Sequence, residues 1–200
     1  MITEKITRGS RPLILITNDD GINASGIKSL AEYLMPLGDV VVVAPDGARS
    51  GQSAAITVKE PLRMAMVENR EGYKAFKTTG TPVDCIKLAL NVLFADRPDL
   101  IVSGINHGSN SGVSVIYSGT MGAVFEGIVQ GVPSIGFSLW KGQRPSKFDP
   151  ALLRVTVAPM TSSISLRYLI SSITCWGIIG HLPSYLQYQP LQGSGINSFL

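Results

Sequence analysis

The chain of 200 residues has the length of one ordinary domain with an appendage, and its composition of 44% hydrophobic and 16% charged residues excludes a disordered protein. Two cysteines (Cys85, Cys175) and two histidines (His107, His181) exclude a disulfide scaffold, a four-thiolate zinc site and a histidine-rich metal centre. The net charge of +3 arises because all 14 acidic residues lie at or before Asp149. A basic excess that comes from a lack of acidic residues in one segment does not form a basic surface that follows a phosphate backbone. We therefore expect no nucleic-acid duplex as a partner.

The N-terminal segment has no signal-peptide pattern. Charged residues occur throughout positions 4–11, and the apolar run that follows is too short for a signal sequence. The apolar stretch 164–182 is interrupted by Arg167, so a membrane anchor there is the less favoured interpretation. The sequence therefore predicts a cytoplasmic protein with no membrane partner and with reduced thiols.

Apolar strands alternate with amphipathic helices from the start of the chain. Residues 13–17 and 40–44 are continuous apolar runs, which are typical of parallel strands covered on both faces. Between them, apolar residues at helical spacing predict a helix that ends before Pro36: Ile27, Leu30, Ala31 and Leu34. Alternating residues over 56–66 and 73–77 predict an antiparallel β excursion.

The alternation continues to about residue 149. Thr81 as N-cap, Pro82 at the first helical position and Asp84 reaching back predict a helix start. The apolar face expected for that helix comprises Cys85, Leu88, Ala89, Val92 and Leu93. A strand over 100–102, a helix over 119–130 and a strand over 134–139 follow, and the inward residues expected for the second helix are Val124, Phe125 and Ile128. This order predicts a doubly wound α/β sheet.

Polar residues gather where the predicted strands end, which is where doubly wound sheets bind ligands. The adjacent carboxylates of Asp19 and Asp20 follow the first strand, and they repel each other unless a cation or protons neutralise them. Gly21 allows the chain to turn so that both carboxylates face one ion. For this motif alone, a surface turn and a cation site are about equally favoured. Its position directly after a buried strand favours the cation site.

A second candidate is the helix start at Ser118, Gly119 and Thr120, which offers free backbone N–H groups, two hydroxyls and the positive end of the helix dipole. Taken alone, this segment is better explained as an ordinary N-cap. No P-loop or G-x-G-x-x-G motif is present, so no dinucleotide site is predicted. For His107 we favour a surface or hydrogen-bonded residue, and for Cys85 an inert core thiol.

Five motifs together, in order and spacing, resemble the SurE family of 5′/3′-nucleotidases over about residues 11–145. They are Thr17–Gly21 (TNDDG), Ala44–Asp46 (APD) with Arg49–Gly51 (RSG), Thr79–Cys85 (TGTPVDC), Ser103–Asn110 (SGINHGSN) and Tyr117–Thr120 (YSGT). The resemblance implies a Rossmann-like, mostly parallel sheet. It also implies hydrolysis of nucleoside monophosphates to nucleoside and phosphate, with one divalent cation, Mg²⁺ or Mn²⁺.

The same resemblance places the family's site residues on eight positions of this chain. The implied metal ligands are Asp19, Asp20, Ser50 and Asn106, and the implied phosphate-binding residues are Asn110, Ser118, Gly119 and Thr120. Four oxygen ligands, two of them anionic, suit a hard octahedral ion. Asp19 and Asp20 are also the candidate catalytic groups, and the sequence leaves open which of them accepts the proton of the attacking water.

The C-terminal quarter departs from the family pattern. We predict a nucleotidase core over residues 11–149 and a divergent segment over 150–200, truncated or out of register, in which acidic residues are absent. This departure puts family-like homodimers or tetramers in doubt. It also supports an alternative function, a non-catalytic remnant that binds metal or nucleotide. A phosphatase with an aspartyl nucleophile is disfavoured, because it needs Asp-x-Asp after the first strand.

Overall fold

The structure of the protein, a computed structural model, describes residues 4–108, 110, 113–139 and 153–157. The strands in this part of the chain are β1 (Leu13–Thr17), β2 (Asp39–Pro45), β3 (Met64–Arg70), β4 (Tyr73–Thr78), β5 (Leu100–His107), β6 (Ser134–Leu139) and β7 (Leu153–Val157). The helices are α1 (Ser25–Leu34), α2 (Pro82–Leu88), which continues as a π-helical turn over Ala89–Leu93, α3 (Ser114–Tyr117) and α4 (Gly119–Val129). None of the helices in the described ranges is long and apolar enough to span a membrane.

The strands form one sheet in the order β3-β4-β2-β1-β5-β6-β7. The five central strands are parallel, whereas β3 and β7 pair antiparallel at the two edges. The predicted mostly parallel α/β sheet with a β-rich excursion is therefore confirmed. Strand β7 lies beyond the predicted boundary at residue 149, and it continues the sheet from β6. That boundary stays a prediction, and the predictions for the tail after residue 157 lie outside the described residues.

Helices cover both faces of the sheet, because alternate residues of each central strand point to opposite sides. Ile14 and Ile16 of β1 pack in one core cluster with apolar residues of α1. Leu13 and Leu15 point to the other side and pack in a second cluster with residues of α2 and with Ala123 of α4. All five residues of β1 are buried, which explains why the strand is continuously apolar up to Thr17.

The β excursion is shorter than the alternating pattern predicted. Strand β3 begins at Met64, and residues 56–63 form no strand. Their backbone N–H groups instead bind side chains: that of Thr57 donates to the carboxylate of Asp84, and that of Arg63 donates to Thr79 Oγ1 at 3.0 Å. The prediction was wrong for this segment because alternation does not reveal which acceptors the backbone will meet.

Two residues predicted to face the core are exposed. Val92 is 43% exposed, because α2 widens into the π-helical turn and the predicted helical spacing no longer holds there. Phe125 is 42% exposed, because α4 packs through small residues and turns Phe125 outward. At Gly127, an added Cβ would lie 2.2 Å from Ser134 Oγ. The helix start predicted at Thr81 is confirmed, with its reciprocal Thr81 and Asp84 hydrogen bonds.

Candidate active site

The turn after β1 is held by a buried amide. Asn18 Oδ1 accepts the backbone N–H of Gly21 at 3.1 Å, and Asn18 Nδ2 donates to the Gly21 carbonyl at 3.1 Å. Gly21 has a positive φ of 96°, and an added Cβ would approach the backbone of Gly47 to 3.0 Å. The turn therefore depends on both residues, and it sets the directions of the two carboxylates between them.

Asp19 is the buried member of the pair, with 4% of its surface exposed. Its Oδ1 accepts a hydrogen bond from Thr120 Oγ1 at 2.8 Å. A Cβ on Gly119 would come within 2.8 Å of the Asp19 Cβ, so the start of α4 packs directly against this carboxylate. Burial raises the pKa of Asp19, and the nearby Asp20 raises it further, while the Thr120 hydrogen bond opposes both effects. Asp19 thus lies where a positive partner would be strongly stabilising.

Asp20 lies on the outer side of the same turn and is half-buried. Its Oδ2 accepts the backbone N–H of His107 at 3.4 Å, which places it at the end of β5. The His107 residue itself is exposed, in agreement with the surface position predicted for it. The two carboxylates are therefore anchored to different elements, Asp19 to α4 and Asp20 to β5.

Asn106 belongs to the irregular end of β5. The register against β6 shifts between Ser103 and Asn106, and Gly104 there has a φ of 132° with the Phe137 carbonyl 2.4 Å from its Cβ position. Asn106 Nδ2 donates to the Gly108 carbonyl at 3.0 Å and to Asn110 Oδ1 at 3.3 Å. Both amide N–H groups are therefore used within the protein. Among the residues that the structure describes, none donates to Asn106 Oδ1, which could therefore bind a cation.

Asn110 is buried, and its side-chain nitrogen donates to Ser138 Oγ at 2.7 Å. The other N–H of this amide has no acceptor among the described residues, and the phosphate-binding role of Asn110 stays a prediction. Sequence reasoning missed Ser138, which lies in the strand predicted over 134–139. The signal for it was the recurrence of serine at positions 134 and 138 within an apolar run.

Ser118 is the N-cap of α4: its Oγ accepts the backbone N–H of Met121 at 3.1 Å. The first N–H groups of the helix have no intrahelical acceptor, so this end of α4 attracts anions. No acceptor for the Ser118 hydroxyl hydrogen lies among the described residues, so this hydrogen could donate to a phosphate oxygen. Thr120 differs, because a hydroxyl has one hydrogen and that hydrogen is directed to Asp19. Only the backbone N–H of Thr120 is left to donate to phosphate.

Ser50 is exposed on the loop after β2. The preceding residue, Arg49, donates its backbone N–H to the Asp19 carbonyl at 2.7 Å. Its guanidinium bridges Asp46 Oδ1 and the Thr79 carbonyl, both at 3.1 Å. The structure therefore brings the segment that contains Ser50 against the carboxylate turn.

These residues fit a hard divalent cation. In the described part of the chain, no group of three or more His, Cys, Asp or Glu side chains comes together. Within the described residues, a cation at Asp19 and Asp20 would be completed by neutral oxygens, for which Ser50 and Asn106 are the predicted candidates, and by water. The buried, repelled carboxylate of Asp19 is the observation that favours a positive occupant.

Comparison with known proteins points to a single family. The family model described as "Survival protein SurE" matches residues 14–174. The chain is 52% identical over 141 residues to the 5′-nucleotidase SurE of Bacteroides thetaiotaomicron, covering 70% of this chain and 54% of the relative. It is 57% identical over 127 residues to that of Porphyromonas gingivalis, covering 63% of this chain and 50% of the relative. This chain thus spans about half the length of the curated relatives it matches.

A solved structure shows the same architecture. The SurE protein from Aquifex aeolicus superposes with a TM-score of 0.63 at 35% sequence identity, covering 86% of this chain and 62% of that one.

Proposed function

The chain belongs to the SurE family, and from that premise we propose that it hydrolyses nucleoside monophosphates to nucleoside and phosphate with one bound divalent cation, Mg²⁺ or Mn²⁺. The observation that carries the proposal is the contact between the buried Asp19 carboxylate and the first turn of α4. A cation ligand and an anion-binding helix start then lie side by side, as metal-assisted phosphate chemistry requires. The names of the relatives, 5′-nucleotidase SurE, support the same reaction.

In this proposal, Asp19 and Asp20 would hold the cation with their carboxylates, and Ser50 and Asn106 would provide neutral oxygens. When bound, a divalent cation supplies Lewis-acid activation of a phosphate oxygen and of the attacking water. The Asp19–Asp20 pair accepts the proton of that water, since these are the carboxylates at the cation.

The phosphate group is held from the opposite side by the start of α4. The backbone N–H groups of Gly119 and Thr120, the hydroxyl of Ser118 and the remaining N–H of Asn110 donate to its oxygens. These donors are fixed before substrate arrives, because Ser118 caps the helix and Asn110 is anchored to Ser138. Preorganised donors of this kind stabilise the charge that develops on the transferred group.

All eight predicted site positions lie between residues 19 and 120, and the segment after 149 contributes none of them. The alternative of a non-catalytic remnant therefore gains no support from the loss of the C-terminal pattern. Nucleoside monophosphates are the partners we propose.

The test is phosphate release from the metal-stripped full chain, with and without added Mn²⁺ or Mg²⁺. The substrates are the adenosine, guanosine, cytidine and uridine monophosphates, with the phosphate at the 5′ or the 3′ position. We expect hydrolysis that depends on the added cation and is absent in Asp19→Asn. No release from any of these substrates with either cation, or equal rates in a chelator, would refute the proposal.

A further inference from the structure

A buried hydroxyl on β6 is connected to the candidate cation site. Ser138 is 2% exposed and lies beside Asn106 in the parallel register of β5 and β6. Its Oγ accepts Asn110 Nδ2 at 2.7 Å, and Asn110 Oδ1 accepts Asn106 Nδ2 at 3.3 Å. Three side chains therefore form one chain of hydrogen bonds that ends at a candidate cation ligand.

Each bond in this chain fixes the orientation of the next amide. The Gly108 carbonyl only accepts, so the nitrogen end of Asn106 must face it, and within the described residues Asn106 Oδ1 has no donor. The second N–H of Asn106 needs an acceptor, and Asn110 Oδ1 provides it. The side-chain nitrogen of Asn110 must therefore point away from Asn106. In that direction, the acceptor that the structure provides is Ser138 Oγ.

We propose that Ser138 is a positioning residue of the cation site, which acts through Asn110 to hold the side-chain oxygen of Asn106 toward the cation. This inference rests on the proposed function, since it takes Asn106 as a cation ligand. Without the Ser138 acceptor, the buried Asn110 amide has an unsatisfied N–H. Rotation of that amide would satisfy neither residue, because it would turn an N–H toward the N–H of Asn106. Outer partners that orient a ligand in this way typically change metal affinity by about 10–100-fold.

The test is the Mn²⁺ affinity of the metal-stripped full chain, measured by titration calorimetry without substrate. For Ser138→Ala we expect affinity to fall by about tenfold or more. Ser134→Ala is the matched control, because Ser134 lies on the same strand, is 3% exposed and donates to the Val132 carbonyl at 2.9 Å. We expect Ser134→Ala to bind Mn²⁺ as the unmodified chain does, and thermal melting shows whether each variant folds.

A double-mutant cycle separates positioning from general packing. If Ser138 acts through Asn110, Ser138→Ala has no further effect on Mn²⁺ affinity when Asn110→Ala is already present. Unchanged Mn²⁺ affinity in Ser138→Ala, an equal loss in Ser134→Ala, or an undiminished effect in the Asn110→Ala background would each overturn the inference.

The same measurements keep this inference distinct from the proposed function. If the affinities differ as expected but no phosphate is released, the function fails and the positioning role stands. If the chain hydrolyses nucleotides while Ser138→Ala binds Mn²⁺ normally, the positioning role fails and the function stands. If the unmodified chain binds neither Mn²⁺ nor Mg²⁺, both fail.

Discussion

The candidate site has an inner and an outer half that are built differently. The inner half, defined as Asp19, Asn110, Ser118 and Thr120, is buried, and each side chain has a hydrogen-bond partner. The outer half, defined as Asp20, Ser50 and His107, is half-buried or exposed. The inner half joins elements far apart in sequence, as in the bond between Thr120 and Asp19, which lie 101 positions apart. Contacts within the protein therefore hold the side chains of the inner half, whereas those of the outer half are open to solvent.

The largest expected effect comes from removing the inner charge. Asp19→Asn removes an anionic ligand of the proposed cation, so we expect activity to fall by more than about 100-fold. Substitution of a residue that only contacts a metal ligand typically costs less than that. Asp20→Asn should also abolish turnover, because it removes the second anionic ligand. Phosphate release at limiting Mn²⁺ checks both, and near-normal turnover in either variant would show that the carboxylate is no cation ligand.

The same two variants should differ in stability without metal. Since burial raises the folded-state pKa of Asp19 above its unfolded value, the stability tied to its protonated form is present at low pH and is lost as pH rises through the folded-state pKa. Asp19→Asn should therefore raise the melting temperature of the metal-free protein at neutral pH and flatten its dependence on pH. Asp20→Asn, at the half-buried position, should raise it less. Equal melting temperatures for the two variants would show that burial does not distinguish the carboxylate of the inner half from that of the outer half.

Thr120→Val tests whether the inner hydroxyl serves the carboxylate or the phosphate. Valine keeps the shape and removes the donor to Asp19, and a hydrogen bond to a charged group contributes about 1.5–3 kcal/mol. We expect weaker Mn²⁺ binding without substrate as well as slower turnover, and Thr120→Ser should restore both. Ser118→Ala should instead slow turnover and leave Mn²⁺ affinity unchanged. The reverse pattern would show that Thr120 serves phosphate directly.

The two outer residues without a carboxylate, Ser50 and His107, should tolerate substitution better. Ser50→Ala removes a neutral oxygen that water can replace, so its loss of Mn²⁺ affinity should be smaller than that of either carboxylate variant. His107→Ala should change stability by no more than about 0.5 kcal/mol, because the residue is exposed and only its backbone N–H contacts Asp20. Activity of His107→Ala should stay close to that of the unmodified chain. A large loss of turnover in His107→Ala would instead identify the imidazole as a general acid.

The smallest effect concerns the core next to the inner half. Cys85 is fully buried, its Sγ lies 3.3 Å from Thr78 Oγ1, and burial raises its pKa to about 12. At pH 8 the thiol is therefore protonated and shielded, so alkylation of the native protein should leave Cys85 unmodified until the chain is denatured. Peptide mass spectrometry measures the extent of alkylation at Cys85. Rapid native labelling of Cys85 would mean that the core opens beside the site.

Local chemistry determined much of this protein from sequence alone. The continuous apolar strands, the capping box at Thr81 and the polar motifs after each strand act over a few residues, and periodicity and side-chain type reveal them. The order of those motifs was sufficient to indicate the family and the eight candidate site residues. These local features do not depend on which other elements pack against the segment.

Tertiary structure alone decided which partner each polar group found. Sequence did not show that the Thr120 hydroxyl faces Asp19, that Ser138 anchors Asn110, or that Phe125 points outward. A hydroxyl has one hydrogen and an amide has two distinguishable ends, so their roles depend on where distant elements bring an acceptor. The candidate site residues could therefore be proposed from sequence, whereas their division into an inner and an outer half required the packing of α4 and β6 against β1 and β5.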